Sequence, residues 1–399
     1  MLNHQTGRLV RSCVGVTVLT LLVACGSGSG GSGGSSGSGG SALYIASSNP
    51  MSGDSGYYGV DKVKAINLAL SDVNASGGVN GHPVKLVVDD DAGQPAQGAS
   101  LAAKECTDSH VLAVIGHWNS SVSLAAAPIY GRCSLPNIND DTTVKLSGIS
   151  PFEFRVFATG AVEGKTLAQY AYAKGYRRTA VVYDTNDYGI TLHDAFASAF
   201  QALGGEVVLN DAYVEGNKNF APDADKVKAA NADSTFIAGY YLETALIAKA
   251  IRQGGITAPL LGGDGIDAPQ LVQLGGSAVN GVVFADDYSP QLRTAANQQF
   301  VAKWSAKYGG APDTFAALAY DATNLLVSVL KSGPTTRKGV QQSLEKEAGF
   351  VGVTGPIKFD SQHDAARPVY LLTVKDGNIT LNGQQLDKGS LVSTSKVIG

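Results

Sequence analysis

The chain lacks the motifs on which most metal- and nucleotide-dependent chemistry depends. It has no HExxH, no CxxC pair and no Walker-type lysine loop, and neither a GxSxG elbow nor a GxGxxG follows any strand-like run. Its six histidines are scattered, and only His117 falls beside the mouth of a predicted strand. Basic residues do not cluster, and thirty Lys and Arg stand against thirty-four Asp and Glu. An acidic chain without a basic patch offers nothing to a phosphate backbone, which argues against a nucleic-acid partner. Beyond residue 24 no apolar run is long enough to span a bilayer. No metal or other cofactor is expected. No nucleophile stands with a base, so binding is expected rather than catalysis.

What is present begins at the amino terminus. Arg8 and Arg11 precede the uncharged stretch Cys13–Ala24, which has the length of a signal-peptide core and not of a membrane span. It ends in Leu22-Val23-Ala24-Cys25. That ending resembles a bacterial lipobox, whose cysteine is acylated and becomes the first mature residue. Residues 1–24 therefore read as a lipoprotein signal peptide and Cys25 as the lipidation site. Gly26 to Ser41 are only Gly and Ser, with no apolar surface to bury. Residues 25–41 then form a tether reaching roughly 20–24 Å at about 5–6 Å × √n. The expectation is an exported domain held at a membrane by its lipid. Losing Arg8 and Arg11 takes the formal net charge from −4 to −6. Cys106 and Cys133 remain as an even pair, either bridged between neighbouring helices or present as two buried thiols.

Behind the tether, short strand-like runs alternate with helical ones. Leu43–Ala46, Val84–Asp89, Val111–Ile115, Leu135–Ile138, Thr179–Tyr183, Val207–Asp211, Thr235–Ala238, Pro259–Leu261 and Gly281–Ala285 are apolar without polar alternation. Strands covered on both faces by helices have this composition. Between them, stretches such as Tyr58–Asn74 repeat apolar residues every three or four positions, as at Val63, Ile66, Leu70 and Val73. The pattern is an α/β chain of doubly wound parallel sheets. It starts twice: residues 43–89 and 179–211 each read strand, polar loop, Tyr-Gly, helix, Gly-Gly, strand. Two lobes are expected, 42–160 plus 287–361 and 161–286 plus 362–399, joined by a multi-stranded hinge. Such sheets bind ligands beyond the carboxyl ends of their strands, so the two mouths should face each other across a cleft. Further on, Gly355–Phe359 reads as a strand, and Pro368–Lys375 with Asn378–Leu381 as a hairpin.

Several segments carry a more specific resemblance. Pro50-Met51-Ser52-Gly53, Val114-Ile115-Gly116-His117 with Ser120-Ser121, Ala127-Pro128-Ile129-Tyr130, Tyr188-Gly189, Gly239-Tyr240-Tyr241 and Thr354-Gly355-Pro356-Ile357-Lys358-Phe359-Asp360 stand in an order similar to the branched-chain amino acid binding proteins. These are type I periplasmic solute-binding proteins of ABC importers. The resemblance implies that Ser120 binds a ligand carboxylate and that Thr143 contacts both carboxylate and ammonium. It implies that Tyr188 and Tyr240 line the site from the second lobe, and that Tyr58 packs on the ligand side chain. Asp264 falls where leucine-type relatives carry a glutamate for the ammonium. Asn119 stands where the family has a disulfide cysteine. Asp140 and Asp141 are extra carboxylates, read either as contacts for a more polar ligand or, preferably, as a solvated helix start. Ser120 and Thr143 also fit as helix caps. The expected function is capture of an amino acid by a monomer that delivers it to transporter permease subunits. Urea, a short amide or an aromatic acid would fit the same fold, as would a ligand-sensing lipoprotein.

Overall fold

The computed structural model describes residues 40–397. The signal peptide, Cys25 and all but the last residues of the tether lie outside the described residues.

The first lobe is built on β1 (Leu43–Asn49), α1 (Gly56–Ala75), β2 (Val84–Asp90), α2 (Pro95–Thr107), β3 (Val111–Ile115), α3 (Ser120–Cys133), β4 (Asn137–Asn139) and β5 (Glu153–Arg155). Its five strands are all parallel, in the order β2-β1-β3-β4-β5. β3 is buried along its whole length, while β2, at the edge, is half exposed, as central and edge positions require. The second lobe follows with α4 (Gly160–Ala173), β6 (Arg178–Asp184), α5 (Asp187–Ala202), β7 (Glu206–Tyr213), α6 (Ala221–Ala230), β8 (Ser234–Ala238), α7 (Tyr241–Gln253), β9 (Leu260–Gly262), α8 (Pro269–Gly275) and β10 (Val283–Asp286). The chain then returns through α9 (Ala295–Tyr308), α10 (Thr314–Ser332), α11 (Arg337–Lys346), β11 (Val351–Gly352) and β12 (Gly355–Pro356). It closes with β13 (Tyr370–Lys375), β14 (Asn378–Leu381), β15 (Gln384–Asp387) and β16 (Ser390–Ser393). The second sheet runs β14-β13-β10-β9-β8-β6-β7, parallel except at β13, which pairs antiparallel with both β10 and β14. Its switch point lies between β6 and β8, as that of the first sheet lies between β1 and β3.

Elements expected from apolar periodicity form within a few residues of their expected ends. Gly355–Phe359 differs. Gly355-Pro356 forms a two-residue ladder with β11 and Phe359 only an isolated bridge with Ala365, because Ile357 and Phe359 turn into the first-lobe core. β5, α6 and the β15–β16 hairpin were not anticipated. β5 is three residues long, with Glu153 and Arg155 buried in it, so it shows no apolar run.

Three chain crossings join the lobes, and Asp287 ties them together. It lies on the second crossing, its Oδ2 accepts the Ala158 N–H of the first at 2.7 Å, and Arg367 of the third pairs with it at 3.5 Å. On the outer face of the first sheet, Cys106 at the end of α2 is bonded to Cys133 at the end of α3 (S–S 2.07 Å). Both pack beside the small core of Ala102, Val111, Val114 and Tyr130. The sequence separation is 27 residues. Closing a loop of that size stabilises by about 3–4 kcal/mol in the chain-entropy model. Cys106→Ser with Cys133→Ser should lower the urea midpoint accordingly, while alkylation of the unreduced parent should find no free thiol at either position. An unchanged midpoint would contradict this.

Candidate functional site

Trp118, Asn119 and Ser120 carry the chain from β3 into α3. Ser120 is the first helical residue, so it is not the cap; Asn119 holds that position, without a side-chain cap bond. The Val122 and Ser123 amides in the first turn of α3 both bond the Asn119 carbonyl, at 2.9 and 3.0 Å. Ser120 lines a small cavity of about 10 Å³ between the lobes. From the first lobe, Trp118, Ser120, Asp140, Asp141, Thr142 and Phe315 line it; from the second, Tyr188, Tyr240 and Asp264. A wider hollow of about 320 Å³ lies beside Tyr57, Pro269 and Pro312, but none of the expected ligand residues lines it.

The second-lobe wall depends on close backbone approach. The Tyr188 hydroxyl donates to Asp264 Oδ1 at 2.9 Å and accepts the Gly265 N–H at 2.8 Å. A Cβ at Gly263 or Gly265 would lie 2.7 Å from that hydroxyl, so the flanking glycines are required. Behind Asp264, Glu163 in the first turn of α4 accepts the Asp264 N–H at 2.7 Å. The other Glu163 carboxyl oxygen, Oε2, is buried without a hydrogen-bond partner among the described residues. Burial pushes the Asp264 carboxyl up to about 7, and burial followed by the Asp264 charge pushes Glu163 up as well.

The first-lobe wall corrects one expectation. Asp140 and Asp141 are not a solvated helix start: both are buried, Asp141 to 1 % exposure. Asp140 pairs with Lys62 of α1 at 2.6 Å, and the lysine is itself only 1 % exposed. Asp141 accepts a short hydrogen bond from Ser123 through Oδ2, and its Oδ1 has no partner. Burial, reinforced by the Asp140 charge, raises its carboxyl well above the ordinary range despite the Ser123 bond.

Two expected residues lie just outside the cavity. Thr143 caps a single 3-10 turn by accepting the Lys145 N–H at 3.4 Å, and its hydroxyl accepts a bond from Thr191 across the interface at 3.1 Å. Its neighbour Thr142 takes the lining position. Tyr58 stacks behind Trp118, ring centroids 3.9 Å apart, and donates across the cleft to the Gly265 carbonyl at 2.6 Å. The stack continues from Trp118 to Tyr240 at 4.8 Å and from Tyr240 to Tyr188 at 5.0 Å, so one ladder of rings crosses from lobe to lobe. Ser121 and Lys145 of the first lobe both bond Asp187 of the second, at 2.7 and 2.6 Å. The lobes are closed on each other.

A model of the family described as "Periplasmic binding protein" matches residues 42–378. The chain belongs to that family. A leucine-binding protein from Thermotoga maritima is 31 % identical, with a TM-score of 0.82 over 89 % of this chain and 99 % of that one. A branched-chain amino acid transporter substrate-binding protein from Streptococcus pneumoniae, solved with isoleucine, is 27 % identical with a TM-score of 0.82, covering 88 % of this chain and 99 % of that one. A Leu/Ile/Val-binding protein homologue from Brucella melitensis is 27 % identical over 81 % of this chain and 87 % of its own length. Within the family, the chain groups with the branched-chain amino acid binding proteins. These are binding components of transporters and not enzymes.

In this periplasmic binding protein, sequence reasoning overlooked Trp118, Lys62, Glu163 and Phe315. Trp118 was findable: an aromatic between His117 and Ser120 sits in the same strand-to-helix loop as the expected ligand serine. Lys62, Glu163 and Phe315 lie on helices far along the chain, and nothing local distinguishes them. Among the described residues no helix is long and apolar enough to cross a membrane.

The buried carboxyls make stability depend on pH in an unusual direction. Asp264 and Asp287 are raised by burial to about 7 and Glu153 to about 8. The folded state thus holds protons that the unfolded chain releases near pH 4, so stability falls as pH rises from about 4 through about 7–8. Ligand-free protein should melt at a higher temperature at pH 5.5 than at pH 8, and Glu153→Gln should flatten that slope. A melting temperature that climbs between those values would refute the assignment.

Proposed function

We propose that this protein captures an α-amino acid, branched-chain or similar in size, between its lobes and delivers it to the permease subunits of an ABC importer. The reading is carried by the two opposed subsites on one buried cavity. The N-terminus of α3 with Ser120 suits a carboxylate, since helix N-termini favour anions. Asp264, backed by Glu163 on the other lobe, suits an ammonium. A zwitterion bridging both closes the lobes, because each of its charges finds a partner only when both walls are present. The relatives named for leucine and for leucine, isoleucine and valine, and the one solved with isoleucine, support this ligand class. Tyr188 and Tyr240 contact the ligand from the second lobe in this reading, and Thr142, in place of Thr143, joins Ser120 at the carboxylate. Tyr58 acts through Trp118.

In this reading the lobe boundaries are 160, 286 and 361. The protein works as a monomer outside the cytoplasm, held by a lipid on Cys25 and reaching its transporter through the Gly/Ser tether.

Asp264→Asn keeps the shape and removes the charge. Breaking a buried charge pair costs about 3–5 kcal/mol, so calorimetric titration should show at least a hundredfold weaker binding of the best amino acid. Binding by the parent should also weaken from pH 8 to pH 5, as Asp264, raised by burial to about 7, takes up a proton that competes with the ammonium. Loss of less than about threefold in the mutant would remove the ammonium subsite. For the anchor, Cys25→Ser should move the protein from the membrane fraction to the soluble one, or leave the leader uncut, without altering ligand affinity. Retention equal to the parent's would rule the anchor out.

A further inference from the structure

The cavity holds one carboxylate more than an amino acid with an apolar side chain can use. Asp140 has its charge matched by Lys62 at 2.6 Å through Oδ1, although its Oδ2 has no partner among the described residues. Asp264 serves the α-ammonium in the proposed function, on which the present inference rests. Asp141 remains. Its Oδ2 takes the Ser123 hydroxyl, and its Oδ1 is buried without a partner in a residue that lines the cavity. The basic side chains nearest to it are committed elsewhere. Lys62 is held by Asp140, and Arg155 gives its guanidinium to the Thr142 and Thr143 carbonyls and to Asp364. A buried oxygen with lone pairs and no donor is costly, and more so on a carboxylate.

The rest of the lining points the same way. It contains no aliphatic side chain; its apolar part is four rings, Trp118, Tyr188, Tyr240 and Phe315. Aromatic faces are poor at discriminating branched aliphatic shapes from one another but attract cations through their quadrupole. Rings beside an unmatched carboxylate are the chemistry of an amine cage. Asp141 and Asp264 stand on opposite lobes, so a ligand carrying a nitrogen at each end would satisfy both on closure.

We infer that the side chain of the bound amino acid ends in a cationic N–H donor, an ammonium or guanidinium, received by Asp141 within the ring of aromatics. Asp141 is then a specificity-determining residue that separates this protein from those that take purely aliphatic side chains.

The test titrates 2,3-diaminopropionate, 2,4-diaminobutyrate, ornithine and lysine. Each is paired with its counterpart lacking the terminal amine: alanine, 2-aminobutyrate, norvaline and norleucine. Parent, Asp141→Asn and Asp264→Asn are compared by calorimetry at pH 7.5. At least one diamino acid should bind the parent about tenfold or more tightly than its counterpart. Asp141→Asn should erase that advantage and leave the counterpart's affinity within about threefold. Asp264→Asn should weaken both members of a pair alike. If every apolar counterpart binds as well as its amine, or if the advantage survives in Asp141→Asn, the inference fails while amino acid capture stands. If no member of either series binds the parent, capture of an amino acid falls and this inference with it. The parent series alone decides the point should Asp141→Asn not fold.

Discussion

Removing carboxyl groups from water between two lobes is the constraint to which the rest of the molecule answers. An isolated buried carboxylate is not tolerated; it must share a proton, meet a cation or collect hydrogen bonds. Asp264 accepts the Tyr188 hydroxyl, Asp140 meets Lys62, and Asp287 both accepts the Ala158 N–H and meets Arg367. These arrangements explain why a lysine on α1 points into the core and why a helix following the hinge begins with a buried glutamate. Ligand charge and lobe closure are linked because Ser120 and Asp264, on different lobes, line the same cavity.

The hinge makes such closure possible without loosening either sheet. Three extended segments cross between the lobes, and all three converge on Asp287, so the pivot is fixed while the lobes rotate about it. The contacts that form on closure are polar or aromatic: Ser121 and Lys145 on Asp187, Tyr58 on the Gly265 carbonyl, Trp118 on Tyr240. In an open form, water can replace the hydrogen bonds at modest net cost. That leaves the balance between open and closed small enough for one ligand to shift.

The sheets were legible because their signal is local. Strands such as Val111–Ile115 are runs of apolar residues bounded by polar loops, and the helices repeat at three and four. The mouths of those strands were legible too, since βα loops follow directly from the strands. Ser120, Tyr188, Tyr240 and Asp264 were found that way, and all four line the cavity. Asp140 and Asp141 were misread as solvated, because two acids before a turn look like a cap whether or not a second lobe covers them.

What the sequence determined by itself is the alternation of elements, the doubling of the βα pattern and the set of polar groups at the strand ends. Each follows from periods and turn residues within a few positions of one another. Only the tertiary structure decided which groups become partners. Lys62 reaches Asp140 from 78 residues away and Glu163 backs Asp264 from 101. Trp118 joins Tyr58 to Tyr240 through space and not along the chain. Burial and charge pairing depend on what the second lobe excludes from water, and no window of sequence contains both lobes.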